Sequence, residues 1–286
     1  MESQPTTLGL KPKASARDRI SALCRRAGER LVQGKYFLAR GLYRKALTLV
    51  EDVHGLESIE VARVCNNMGV VCKYAGNLDE AAWLYRRALP ILERFLGAEH
   101  PEVATLYHNL GGLEHARGRF AVGEPMARRS VEIRQKSLGP DHVDMAADMA
   151  ALAALLDGQG KYEESEPLYR LVLEIFERAY GPEHYEVAVN LNNLAALRQA
   201  RGDSEQAERL YRRALEIKEK LQGPKHPDLA LTLNNLAVLT KQQGHYPESA
   251  EMYRRALEIL EKSFGPRHPK VLTCRKNLAA LLNGAA

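Results

Sequence analysis

LNNLAALRQARGDSEQAERLYRRALEIKEKLQGPKHP, residues 191–227, returns in outline as LNNLAVLTKQQGHYPESAEMYRRALEILEKSFGPRHP at 233–269, a step of 42 residues. The step runs through the whole chain. Glycine falls at Gly34, Gly76, Gly118, Gly160, Gly202 and Gly244, and again at Gly55, Gly97, Gly139, Gly181, Gly223 and Gly265. Two glycine series in fixed phase divide each unit into two segments, and a self-similar period of this length marks a repeat architecture. Between the glycines, apolar residues keep helical spacing, as in Tyr211, Ala214, Leu215, Ile217 and Leu221. That segment is helix B of each unit. The segment before the first glycine, with Leu191, Leu194, Ala195 and Leu197, is the amphipathic helix A. Glycine supplies the left-handed conformation that a helix end commonly needs. Proline at a first helical position lacks only an N–H that has no helical partner, so Pro101, Pro227 and Pro269 are read as starts of helix A.

Small residues explain how the helices meet. Helix A carries Gly69, Gly111, Ala153, Ala195 and Ala237 in one row; helix B carries Ala46, Ala88, Ser130, Ala214 and Ala256, with Val172 as the exception. Tyr43, Tyr85, Tyr169, Tyr211 and Tyr253 fill the adjoining space, and Ala127 interrupts their series. One unit cannot stand alone. About ten buried side chains at roughly 1.5–3 kcal/mol each fall short of roughly 1 kcal/mol or more per residue for ordering the chain, so stacking on neighbours supplies the rest. Six A/B pairs fit from Ala16 onward, and HPKVLTCRKNLAALLNGAA adds a thirteenth helix. Arg275 and Lys276 polarise that helix where inner units carry Leu and Asn, as suits a cap with one wet face. The expected organisation is a flexible tail over 1–15 and a repeat array over 16–286.

Composition agrees with a globular chain: 45% hydrophobic and 27% charged over 286 residues. A net charge of +5 is modest for this length, and no nucleic-acid partner is expected. No apolar stretch reaches the roughly 20 residues of a membrane span, and MESQPTTLGLKPKA lacks the apolar core of a signal. Cys24, Cys65, Cys72 and Cys274 show no CxxC spacing and lie in helical apolar patterns, which reads as reduced core residues of a cytoplasmic protein.

With these residues in view, the units resemble tetratricopeptide repeats of the long, 42-residue kind found in kinesin light chains and many bacterial proteins. The motif LNNLAxLxxxxGxYxExAExxYRRALEIxEKxxGPxHP carries the resemblance, which covers about residues 16–286. It implies an all-α, right-handed superhelical solenoid whose helices A line a concave groove for a peptide. Kinesin light chains also carry an N-terminal heptad segment, which these 286 residues do not contain, so the motor role is not expected. The implied function is a non-catalytic protein-interaction adaptor, without cofactor, for a partner segment with acidic and apolar side chains.

The resemblance places two rows of helix A in the groove. One is Asn67, Asn109, Ala151, Asn193, Asn235 and Asn277; the other is Asn66, His108, Ala150, Asn192, Asn234 and Lys276. A carboxamide both donates and accepts, so such a ladder can hold a bound backbone whatever its side chains. Asparagines on adjacent helices can equally bond to one another, and the sequence leaves both roles open. Specificity then falls to positions that differ between units, with Arg63, Lys73 and Lys241 toward the ends and an apolar floor of Ala147, Ala150, Ala151 and Ala154 between them. Ala127 and the altered MARRSVEI and LYRLVLEI segments point to a softer region or a local pocket. The arginine pairs Arg86/Arg87, Arg212/Arg213 and Arg254/Arg255 read as solvated helix surface, with Glu208–Arg212 and Glu251–Arg255 spaced for intrahelical pairing. His100, His142, His184, His226 and His268 recur at helix starts as capping residues. His108, His115 and Asp157 form the alternative: two imidazoles and a carboxylate able to bind a metal or move a proton in a small-molecule or metal-dependent enzyme.

Overall fold

The structure, a computed structural model, describes residues 15–284. All regular structure among them is helical. The first three pairs are α1 (Ala16–Val32) with α2 (Tyr36–His54), α3 (Ile59–Tyr74) with α4 (Leu78–Leu96), and α5 (Pro101–Ala116) with α6 (Phe120–Leu138). The next three are α7 (Val143–Asp157) with α8 (Tyr162–Tyr180), α9 (Tyr185–Ala200) with α10 (Ser204–Gln222), and α11 (Leu229–Gln242) with α12 (Tyr246–Phe264). α13 (Pro269–Gly284) closes the array. Each helix packs chiefly on its neighbours in sequence, and Phe264 of α12 also packs against the core of the first repeats. The tail expected over 1–15 falls almost wholly outside the described residues.

Local chemistry sets the helix ends. All twelve glycines of the two series have positive φ, the backbone state that a side chain disfavours. The five repeated histidines are caps, as expected. His100 Nδ1 accepts the N–H of Glu102 at 3.1 Å, and the rings of His142, His184, His226 and His268 accept the N–H two residues on. Pro101 and Pro269 open α5 and α13, but α11 begins at Leu229, two residues after Pro227. The physical reason is tertiary. Pro227 is seated against Gly34, where a Cβ would lie 2.9 Å from its Cγ, and Asp228 accepts a hydrogen bond from the Tyr185 hydroxyl at 2.9 Å.

From α3 to α11 the backbones of consecutive odd-numbered helices lie close together, whereas the even-numbered helices stand further apart and meet through long side chains. The odd helices therefore line the inner side of the bend. On the outer side the arginine pairs are staples between repeats as well as surface. Arg212 keeps Glu208 at 2.8 Å and also reaches Glu248 of the next repeat at 2.7 Å. Arg255 turns away from the expected Glu251 to Glu219 of the preceding repeat at 2.5 Å, and donates to the Pro224 carbonyl at 3.2 Å. Arg87 and Arg213 make the same backward reach, to Glu51 and Glu177. Leu171 stands where α8 would need such an arginine.

At Ala127, which is fully buried, the two helices of the third repeat close up. In the second repeat the Tyr85 ring lies so close to Gly69 that an added Cβ would come within 2.4 Å. In the third, Gly111 faces Ala127 and the backbone of Gly123 instead, at 3.4–3.5 Å from an added Cβ. Absent side chains on both helices let α5 and α6 close the space that tyrosine fills elsewhere.

Candidate functional site

Helix A periodicity brings the two asparagine rows to the inner face, and the structure divides them by partner. Asn109 Nδ2 donates to Asn66 Oδ1 at 2.8 Å, and Asn277 Nδ2 donates to Asn234 Oδ1 at 3.1 Å. Each bond joins one repeat to the next. In the middle this pairing lapses. Ala151 and Ala150 supply no amide, and the equivalent pair Asn192 and Asn235 is not joined, so the buried Oδ1 of Asn192, a residue 4% exposed, has no donor. Asn67 is exposed and Asn193 and Asn235 are half-buried, none with a hydrogen-bonded side chain among the described residues. Ala147, Ala150, Ala151 and Ala154 are all half-buried beside them.

The three cations fare differently. Arg63 donates from Nε and Nη2 to the two carboxylate oxygens of Glu102 at 2.8 and 2.7 Å, so its guanidinium is committed to the next repeat. Lys73 and Lys241 are half-buried and have no ion pair among the described residues. Burial, then the Lys270 ammonium, pushes the Lys73 amine down to about 8.

His108, His115 and Asp157 are not brought together. His108 Nδ1 lies 2.8 Å from Asp148 Oδ1, and His115 packs edge-on against Phe120. The Asp157 carboxyl has no hydrogen-bond or ion-pair partner among the described residues, and burial raises it to about 6. Among the described residues, no group of three or more His, Cys, Asp or Glu is arranged to hold a metal ion. The alternative site therefore lacks its constellation.

Asp148 is the residue that sequence reasoning missed. It is 1% exposed and joins His108 to Arg134, whose Nε donates to Asp148 Oδ2 at 2.8 Å and whose Nη2 donates to Thr105 Oγ1 at 2.7 Å. A proton on His108 Nδ1, donated to Asp148, fixes the ring at the edge of the groove. The signal was present in the repeat itself. The α6 position of Arg134 is Leu92 in α4 and Lys218 in α10; fourteen residues further on, Asp148 replaces Leu106 and matches Thr232. Lys218 Nζ donates to Thr232 Oγ1 at 3.0 Å, so a polar residue at the first position goes with a polar partner at the second.

A bent stack of paired helices, with its odd-numbered helices turned inward, is a helical-repeat solenoid presenting a continuous groove. The tetratricopeptide-repeat profile matches residues 18–94, 66–122, 102–178, 147–220, 187–262 and 228–285, and the chain belongs to that family. No curated protein matches it. Among solved structures it is similar to BtubC (BKLC) from P. vanneervenii, at 22% identity over 90% of this chain and 95% of that one, with a TM-score of 0.56. It is also similar to a putative kinesin light chain from Podosopora anserina, at 23% identity over 72% and 98%, with a TM-score of 0.52. A Rap protein complexed with Competence and Sporulation Factor aligns at 14% identity over 94% and 78%, with a TM-score of 0.66. These likenesses concern the fold. No helix among the described residues is long and apolar enough to cross a membrane.

Proposed function

We propose that the protein is a non-catalytic interaction adaptor that holds a peptide segment of a partner protein in its inner groove. The observation that supports this most is the lapse in the amide ladder. The outer pairs Asn66–Asn109 and Asn234–Asn277 are closed within the protein, whereas Asn192, Asn193 and Asn235 keep unused hydrogen-bonding groups beside an alanine floor. Asn193 and Asn235 are half-buried, and each amide can donate to and accept from the backbone of an extended segment. The floor takes an apolar side chain, and Lys73 and Lys241 take acidic ones. Arg63, Asn66, Asn109 and Asn234 then serve the scaffold rather than the ligand. Among solved structures of this architecture, a Rap protein was captured with a bound factor, which is compatible with the reading.

The test is a displayed random-peptide library selected on the wild-type protein. Selected peptides should lose at least about tenfold in affinity, or about 1.4 kcal/mol, against the Asn193→Ala/Asn235→Ala double variant, with the melting temperature nearly unchanged. Equal affinity for the double variant would place the binding elsewhere.

A further inference from the structure

The ion pairs that tie each outer helix to the one before it leave an unused member at the start of the array. Arg87, Arg213 and Arg255 reach back to Glu51, Glu177 and Glu219, each on the preceding outer helix. Lys45 holds the same place in α2, 42 residues before Arg87. It is exposed and has no ion pair among the described residues.

The surface around Lys45 has the form of a cradle for a helix. One repeat later α2 packs on α3, whose Val61, Cys65 and Met68 are buried, and its Glu51 meets Arg87 of α4. The equivalent residues of the first repeat, Arg19, Leu23 and Arg26 on α1 with Lys45, Leu49 and Asp52 on α2, line an open groove at the edge of the array. Leu23 and Leu49 are half-buried, whereas Arg19 and Arg26 are exposed and without an ion pair among the described residues. Three cations against the carboxylate of Asp52 make the groove basic. Asp52 itself stands where Arg94 meets Glu57, beyond the end of α2. Leu38 adds an apolar edge. It is 52% exposed at the position where Glu80, Glu164 and Glu248 each take an arginine from the preceding repeat.

We propose that this edge docks an acidic amphipathic α-helix of a partner protein, laid on α1 and α2 as α2 is laid on α3. The site lies outside the inner groove and stands independently of the peptide reading above. The register comes from α2. Val50 is the α2 equivalent of Arg134 and Lys218, which meet the following inner helix, and Leu47 lies one turn before it. The docked helix therefore carries apolar residues at i and i+3 for Leu23 and Leu49, and a carboxylate at i+4 for Lys45. An apolar residue seven positions before that carboxylate, in place of Arg44, meets Leu38. Charge decides against the other occupants. α13 of a second copy brings Lys270, Arg275 and Lys276 with no carboxylate, and residues 1–14 of this chain carry Lys11 and Lys13 against Glu2 alone, so a basic groove repels both.

The probe is an acetylated and amidated peptide of residues 162–180 carrying Arg170→Leu. It is an acidic helix in this chain, and its Leu173, Phe176 and Glu177 hold the places of Leu47, Val50 and Glu51. Fluorescein-labelled peptide titrated with the whole protein should gain anisotropy, and circular dichroism should show it turning helical, since a free helix of this length is marginal in water. Lys45→Glu and Arg26→Glu should each weaken binding about tenfold, with melting unchanged at these exposed positions. Glu177→Lys in the peptide should regain on Lys45→Glu most of what was lost, which a misfolded variant would not allow. The Asn193→Ala/Asn235→Ala variant should bind the peptide as the wild type does. No binding to the wild type, equal binding by Lys45→Glu, or weakening by the double asparagine variant overturns the proposal. Lys45-dependent flotation with phosphatidylserine vesicles overturns it in favour of lipid, and Lys45-dependent dimers in sedimentation overturn it in favour of a second copy.

Discussion

Asn109 donates its side-chain N–H to Asn66 across the boundary between the second and third repeats, at 2.8 Å. The same step taken from Asn235 leads to Asn192, where no bond forms and an acceptor stays buried without a donor. One motif thus does two jobs. Asn109→Ala removes an inter-repeat bond and strands the Asn66 oxygen, and should cost about 1–2 kcal/mol in urea unfolding. Asn235→Ala removes no internal bond and should stay within about 0.5 kcal/mol of the wild type.

The Arg134–Asp148 pair is buried and anchors His108. Removing one partner leaves an uncompensated charge, so Asp148→Ala and Arg134→Met should each cost about 3–5 kcal/mol. The double variant Arg134→Leu/Asp148→Leu puts leucine at both positions, as the previous repeat does with the buried Leu92 and Leu106, and should regain most of that loss. A double-mutant cycle in urea reads the coupling directly.

Lys218 is 3% exposed, and burial lowers its amine to about 8, with Asp228 opposing. The unfolded chain holds that proton up to the ordinary lysine range. Between about pH 8 and 10 the unfolded state therefore binds more protons, and stability rises with pH. The penalty is fully present below pH 8. Lys218→Met should flatten the slope of unfolding free energy against pH from 7.5 to 9.5 and raise stability at pH 7. Lys73 contributes a slope of the same sign, so the Lys218 share is the difference between the two proteins.

Asp157 behaves in the opposite sense. Burial raises its carboxyl to about 6, so the folded state holds a proton that the unfolded state releases near pH 4, and stability falls as pH rises between those values. Asp157→Asn should stabilise the protein at pH 7 and leave it unchanged at pH 3.5, measured by thermal melting at the two pH values.

The small-residue row makes a packing prediction. Gly69→Ala drives a Cβ into the Tyr85 ring and should cost about 1–3 kcal/mol. Gly111→Ala meets only ordinary contacts at 3.4–3.5 Å. That change should be neutral or stabilise the helix by up to about 1 kcal/mol.

The fold was legible because its signal is periodic. Glycines, prolines and histidines fixed helix ends at one step throughout the chain, and only Pro227, displaced by its contact with Gly34, parted from its expected place. The site was legible in part, because a residue's row says where it points and not what it meets. Asn109 and Asn193 share a row, yet the first is closed on Asn66 and the second is open, since the preceding repeat supplies Ala150 in place of an amide. Arg63 looked free until Glu102, 39 residues later, came opposite it. The stacking of Tyr36 on Tyr74 and Phe264 depends on how strongly the whole array bends, a sum of small rotations per repeat that no single motif encodes.

The most direct test of the central claim is the side-chain amide spectrum of asparagine-labelled protein, recorded by NMR as a library-selected peptide is added. Resonances of Asn192, Asn193 and Asn235 should shift on binding, while those of Asn109 and Asn277, already donating to Asn66 and Asn234, should stay in place. Equal shifts across both groups, or shifts confined to Asn109 and Asn277, would contradict the account.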